Sequence, residues 1–116
     1  MLKQENRIGL NKDFDRAFKA GQSFYSKIVG IKAVINQDNK NRFGILINTK
    51  VSKKAVIRNR IRRQIREIIK QNLDKIELGR NYVFIVFPEI LGKNSLEIKE
   101  NVENGFKKLK AYKKIK

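Results

Sequence analysis

The chain has 116 residues, room for one domain, and its 28 Lys+Arg against 11 Asp+Glu leave a formal net charge of +17. Cysteine and histidine are both absent, which excludes disulfides, thiolate nucleophiles, imidazole general bases and every Cys/His zinc site. Hydrophobic residues at 41% suffice for one compact core, so a wholly disordered basic tail is excluded as well. The opening MLKQENRIGL lacks the apolar run of a signal peptide, and no stretch approaches the ~20 apolar residues of a membrane span. A cytoplasmic protein without a membrane partner is expected.

Residues 11–21 begin with Asn11 as a cap and carry Asp13 and Asp15 in the first turn. Apolar Phe14, Ala17 and Phe18 and a closing Gly21 complete the pattern of a short helix. Residues 24–35 are β-branched or aromatic at most positions, a polar turn follows over 36–41, and 42–47 are apolar again, which predicts a β-hairpin. After a basic connector over 48–54, residues 55–73 return to helical periodicity with Ile57, Ile61, Ile65 and Ile68 on one stripe, widened by Ile69 and Leu73. Residues 82–87 are apolar at every position until Pro88, the pattern of a strand covered on both faces. Asn94 or Ser95 caps a last helix with Leu96, Ile98, Val102, Phe106 and Leu109 inward, and a Lys-rich tail starts at Lys107. The order is α-β-β-α-β-α. It predicts a single α+β domain over 1–116, two helices on one side of a small mixed sheet, with the long basic helix crossing over between the second and third strands.

The charge is concentrated. Between positions 50 and 70 stand Lys50, Lys53, Lys54, Arg58, Arg60, Arg62, Arg63, Arg66 and Lys70, with Glu67 the only acid. At about 100° per residue the Ile stripe covers about 0° to 80°, while Arg58, Asn59, Arg62, Arg63, Arg66 and Lys70 fall between about 100° and 240°. Solvated helix faces normally mix signs, whereas Arg58, Arg62, Arg66 and Lys70 stack like charges at i,i+4, at a cost of a few tenths of a kcal/mol per pair. A polyanion would offset that repulsion, and arginine suits phosphate and base stacking. Nucleic acid is the expected ligand.

Arg58-Asn-Arg-Ile-Arg-Arg-Gln-Ile-Arg-Glu67 resembles the "RNR" signature of the bacterial ribonuclease P protein subunit, with Arg58, Asn59, Arg62, Arg63 and Arg66 filling its pattern. Thr49-Lys-Val-Ser-Lys-Lys-Ala-Val56 looks like the family's basic loop, departing at Thr49, where Lys is common, and at Ser52, where Gly is common. Asn11, Phe14, Phe18 and Gly21 are similar to the family's N-terminal helix, so the likeness extends over nearly the whole chain.

The resemblance implies a left-handed β-α-β crossover, against the right-handed rule. It implies that an RNA subunit carries the catalytic site and its Mg²⁺, while the protein supplies no catalytic residue and holds no metal or cofactor firmly. Lys50, Lys53, Lys54, Arg58, Asn59, Arg60, Arg62, Arg63 and Arg66 would bind that RNA. A cleft with Phe14, Phe18 and Lys32 would take the single-stranded 5′ leader of precursor tRNA. DNA is not an expected partner.

The residues themselves leave alternatives. Phe14 and Phe18 with Ala17 also make an ordinary core stripe. Lys32 faces away from Ile31 and Ala33 and should meet water or phosphate; the family often has an aromatic residue near it. Asp13 and Asp15 could hold a divalent ion, yet they equally suit the first turn of a helix. Glu97, Glu100 and Glu103 read as a solvated face. A structured-RNA binder of ribosomal type, with no part in cleavage, is the competing function.

Overall fold

The computed structural model describes residues 21–36 and 39–113. The predicted helix over 11–21, with Phe14, Phe18 and the Asp13, Asp15 pair, lies outside them apart from Gly21. Among the described residues, four strands, β1 (Gln22–Tyr25), β2 (Val29–Ile35), β3 (Arg42–Leu46) and β4 (Arg80–Val86), and two α-helices, α1 (Ala55–Asn72) and α2 (Ser95–Lys108), make a mixed α+β fold. The sheet order is β1-β2-β4-β3, antiparallel for β1·β2 and β2·β4 and parallel for β3·β4.

The predicted hairpin between 24–35 and 42–47 is not formed, for two reasons. Residues 24–35 are two strands: Ser26 turns the chain, its Oγ accepting from Ile28 N and Val29 N while its own N–H donates to Val29 O at 2.9 Å. The hairpin is therefore β1 with β2. In addition, β4 inserts between β2 and β3. A strand apolar at every position gains most at the centre, and Tyr82, Val83, Phe84 and Val86 are buried there on both faces of the sheet.

β4 lies between β2 and β3, and Asn36 and Asn41, which follow β2 and precede β3, both bond to residues at the start of β4 or just before it. Asn36 Nδ2 donates to Asn81 Oδ1 at 2.7 Å; Asn41 Nδ2 donates to Glu77 O at 2.9 Å, and its Oδ1 accepts from Arg80 N at 3.0 Å. Asn36, Asn41 and Asn81 are all buried, so Asn36 and Asn41 make an internal joint, while Asn39 and Lys40 are exposed.

Both helices cover one face. Ile61, Ile65, Ile68 and Ile69 of α1 and Ile98, Val102 and Phe106 of α2 pack with Ile31, Phe43, Tyr82 and Phe84 into one core. Phe43 stacks on Tyr82 with centroids 5.2 Å apart, and Phe106 meets Tyr82 and Phe84 edge-on. Gly105 lets α2 approach this closely, since a Cβ there would meet Ile31 and Phe24 side chains. Asn94 caps α2, its Oδ1 accepting from Glu97 N at 2.8 Å. Leu96, expected inward, is 63% exposed: at about 100° per residue it falls on the opposite side of the helix from the buried Ile98. The opposite face of the sheet carries a smaller apolar cluster of Val34, Val83 and Ile85. After α2 the chain returns to pair Tyr112 with Ile76, and the Tyr112 hydroxyl donates to Asn72 Oδ1 at 2.8 Å.

Candidate nucleic-acid interface

The basic helix α1 runs between the parallel strands β3 and β4, so its Ile stripe is held on the sheet and its remaining surface is turned outward. Ile57 is half-buried and Ile61, Ile65, Ile68 and Ile69 are buried, as their spacing predicts. On the outer side Asn59, Arg62, Arg63, Arg66 and Glu67 line a concavity of about 480 Å³. Arg62 Nη1 donates to Asn59 Oδ1 at 2.9 Å, so one guanidinium is held in place by a neighbour one turn earlier. Three arginines converging on one hollow, with a single acid beside them among the described residues, make a site complementary to phosphate.

The helix start adds to this. Lys54 occupies the cap position without a side-chain cap bond, and no acid stands in the first turn to balance the positive end of the helix dipole. Lys50, Lys53 and Lys54 are all exposed around it. The loop before the helix is nevertheless ordered by its own groups. Asn48 Oδ1 accepts from Lys50 N at 2.7 Å, Val51 is buried, and Ser52 Oγ accepts from Lys54 N at 3.2 Å. Arg58 reaches back to it, its Nη1 donating to Ser52 O at 2.8 Å.

Not every predicted site residue joins this surface. Arg60 turns to the other flank of α1, where with Gln64 and Lys93 it rims a separate groove floored by Ile61, Ile90 and Ile98. The reason is rotation: at 100° per residue Arg60 falls near 300°, outside the 100° to 240° arc of the others. Lys32 is half-buried on the sheet face away from the helices, between Ser23 and Val83 in the cross-strand register, while Ile31 and Ala33 point into the helix-side core. That placement agrees with its strand alternation. Phe14 and Phe18 lie outside the described residues. Sequence reasoning missed the anchoring roles of Asn48, Val51 and Ser52; the turn-forming chemistry of Asn and Ser was the available signal.

Comparison with known proteins covers nearly the full length. The family model described as Ribonuclease P matches residues 2–110. A protein of Clostridium kluyveri named ribonuclease P protein component is 38% identical over 109 residues, covering 92% of this chain and 96% of its relative. One from Pseudanabaena is 31% identical over 111 residues, covering 95% and 96%. Among solved structures, the Staphylococcus aureus RNase P protein superposes with a TM-score of 0.85 at 29% identity, over 93% of this chain and 98% of that one. The Thermotoga maritima RNase P protein gives 0.76 at 27% identity, over 84% and 92%. The fold is thus shared over most of the length, and the chain belongs to the ribonuclease P protein family, the protein components of a tRNA-processing ribonucleoprotein.

Proposed function

We propose that this chain is the protein subunit of a cytoplasmic ribonuclease P, binding the catalytic RNA and the 5′ leader of precursor tRNA and so promoting endonucleolytic removal of the leader. The observation that carries the reading is the division of α1 into a buried isoleucine stripe and an outer hollow lined by Asn59, Arg62, Arg63 and Arg66. Lys50, Lys53 and Lys54 continue that cationic surface into the preceding loop. In this reading the chemistry belongs to the RNA, which holds the Mg²⁺ and supplies the site of hydrolysis, and the protein contributes electrostatic positioning.

The leader is assigned to the sheet face opposite the helices. Lys32 stands there beside Val34 and Val83, a cation next to an apolar surface, which suits an unpaired strand bound through its backbone without sequence preference. Phe14 and Phe18 are assigned to the same cleft, where their rings would stack on leader bases.

The reading is tested with the enzyme reconstituted from this protein and a bacterial ribonuclease P RNA. Lys32→Ala and Phe18→Ala are expected to weaken binding of precursor tRNA more than binding of mature tRNA. Equal losses for both RNAs, or simple unfolding of the Phe18 variant, would assign these residues to the core instead.

A further inference from the structure

Arg58 reaches out of its own helix. Its Nη1 bonds to the main-chain oxygen of Ser52, six residues earlier and outside the helix, at 2.8 Å in a part-buried setting. Arg62, by contrast, bonds within its own turn, to Asn59. The loop that Arg58 holds carries Lys50, Lys53 and Lys54, which repel one another and the positive end of the helix dipole. Electrostatics therefore pushes this loop away from the helix. The side-chain hydrogen bonds from Asn48 and Ser52 stay inside the loop, so they shape it without attaching it. Val51, buried, pins its middle. Among the described residues, the Arg58 bond to Ser52 O is the side-chain hydrogen bond that ties the loop to α1.

We infer that Arg58 is a positioning residue, a latch that fixes the Lys50–Lys54 loop against α1 so that its lysines and the Asn59, Arg62, Arg63, Arg66 hollow present one rigid cationic surface to RNA. The inference deepens the RNA-binding reading and rests on it. An arginine is suited to the task because its planar fork can give one N–H to a carbonyl and keep others for phosphate. A lysine at 58 has the charge and a shorter reach, with no fork. Ordering the loop during folding removes that cost from the binding step.

Two readouts separate a latch from one more phosphate contact. The first is amide hydrogen exchange in the free protein. In Arg58→Ala and Arg58→Lys, exchange at Lys50, Val51 and Lys54 is expected to quicken by about tenfold while the β2 and β4 amides keep their protection. Arg63→Ala, losing the same charge without a latch, is expected to leave the loop unchanged. The second is the salt dependence of binding to a bacterial ribonuclease P RNA. Arg63→Ala should lower the slope by about one unit, Arg58→Ala by about two or more, and Arg58→Lys should fail to restore it.

Unchanged loop exchange in both Arg58 variants, or full restoration of the salt slope by Arg58→Lys, would overturn the latch. If β2 and β4 also lose protection in the alanine variant, the lysine variant decides. If the wild-type protein shows no salt-dependent binding to that RNA, the RNA-binding reading falls, and the exchange measurement still decides whether Arg58 holds the loop.

Discussion

Arg62 and Asn59 illustrate how much one residue contributes through its neighbour. A free arginine side chain carries about 2 kcal/mol of rotamer entropy, and the 2.9 Å bond from its Nη1 to Asn59 Oδ1 removes part of that before any ligand arrives. Arg62→Ala is therefore expected to weaken RNA binding and lower its salt slope by about one unit, with Arg66→Ala doing the same. Titrations of affinity against salt check this, and unchanged slopes in both variants would place the RNA elsewhere. Tyr82 is the opposite case, a polar atom that structure and function leave unused. Among the described residues its buried hydroxyl has no hydrogen bond of good geometry, and burial holds its pKa above the usual phenol value despite the charge and weak approach of the Arg80 guanidinium. Its ring, stacked on Phe43 and edge-on to Phe106, accounts for its place in the core. Tyr82→Phe is expected to keep stability or raise it by up to about 1 kcal/mol in urea unfolding. A loss larger than that would mean the hydroxyl has a partner.

Among the elements, those with a period were legible in the sequence and those defined by a partner far along the chain were not. The Ile57, Ile61, Ile65, Ile68 stripe placed α1 to within a residue, and the unbroken apolar run identified β4 as a strand buried on both faces. Strand order was not readable, because nothing local to Asn36 or Asn41 says that β4, some forty residues later, will lie between β2 and β3. The turn at Ser26 was hidden by the β-branched and aromatic residues on either side of it. Among the site residues, the arc of Arg58, Asn59, Arg62, Arg63 and Arg66 followed from helical geometry, and the same geometry applied to Arg60 would have put it on the other flank. The joint over β4 can be tested directly. Asn41→Ala removes bonds to Glu77 O and Arg80 N at a buried position and is expected to cost about 2 kcal/mol in denaturant unfolding. No loss would mean that water replaces both. The C-terminal return has a pH signature. Burial, and then the Glu103 carboxylate, push the Tyr112 phenol from 10.0 up to about 12. Because the folded state keeps the proton longer than the unfolded chain does, this contribution to stability is complete below pH 10 and is lost as pH rises through about 12. Base unfolding of Tyr112→Phe is expected to lose that part of the alkaline transition, and an unchanged transition would show that Tyr112 titrates as an ordinary phenol.

For the whole molecule the governing quantity is a net charge of +17 on 116 residues. Self-repulsion of this size works against the compact state, and anything anionic that binds only the folded chain offsets it. Phosphate or sulfate is expected to raise the melting temperature, by roughly 2.7 kcal/mol of added stability where the anion stands at about 100 times its dissociation constant. A melting temperature indifferent to both would contradict the cationic-surface account. On the proposed reading, a chain lacking cysteine and histidine serves a nuclease by neutralising phosphates, with hydrolysis left to the RNA partner. The direct test is cleavage of precursor tRNA by a bacterial ribonuclease P RNA at a Mg²⁺ concentration too low for that RNA to act alone. With this protein added, accurate cleavage at the 5′ end of the mature tRNA is expected; continued inactivity, with the protein folded and bound to the RNA, would contradict the account.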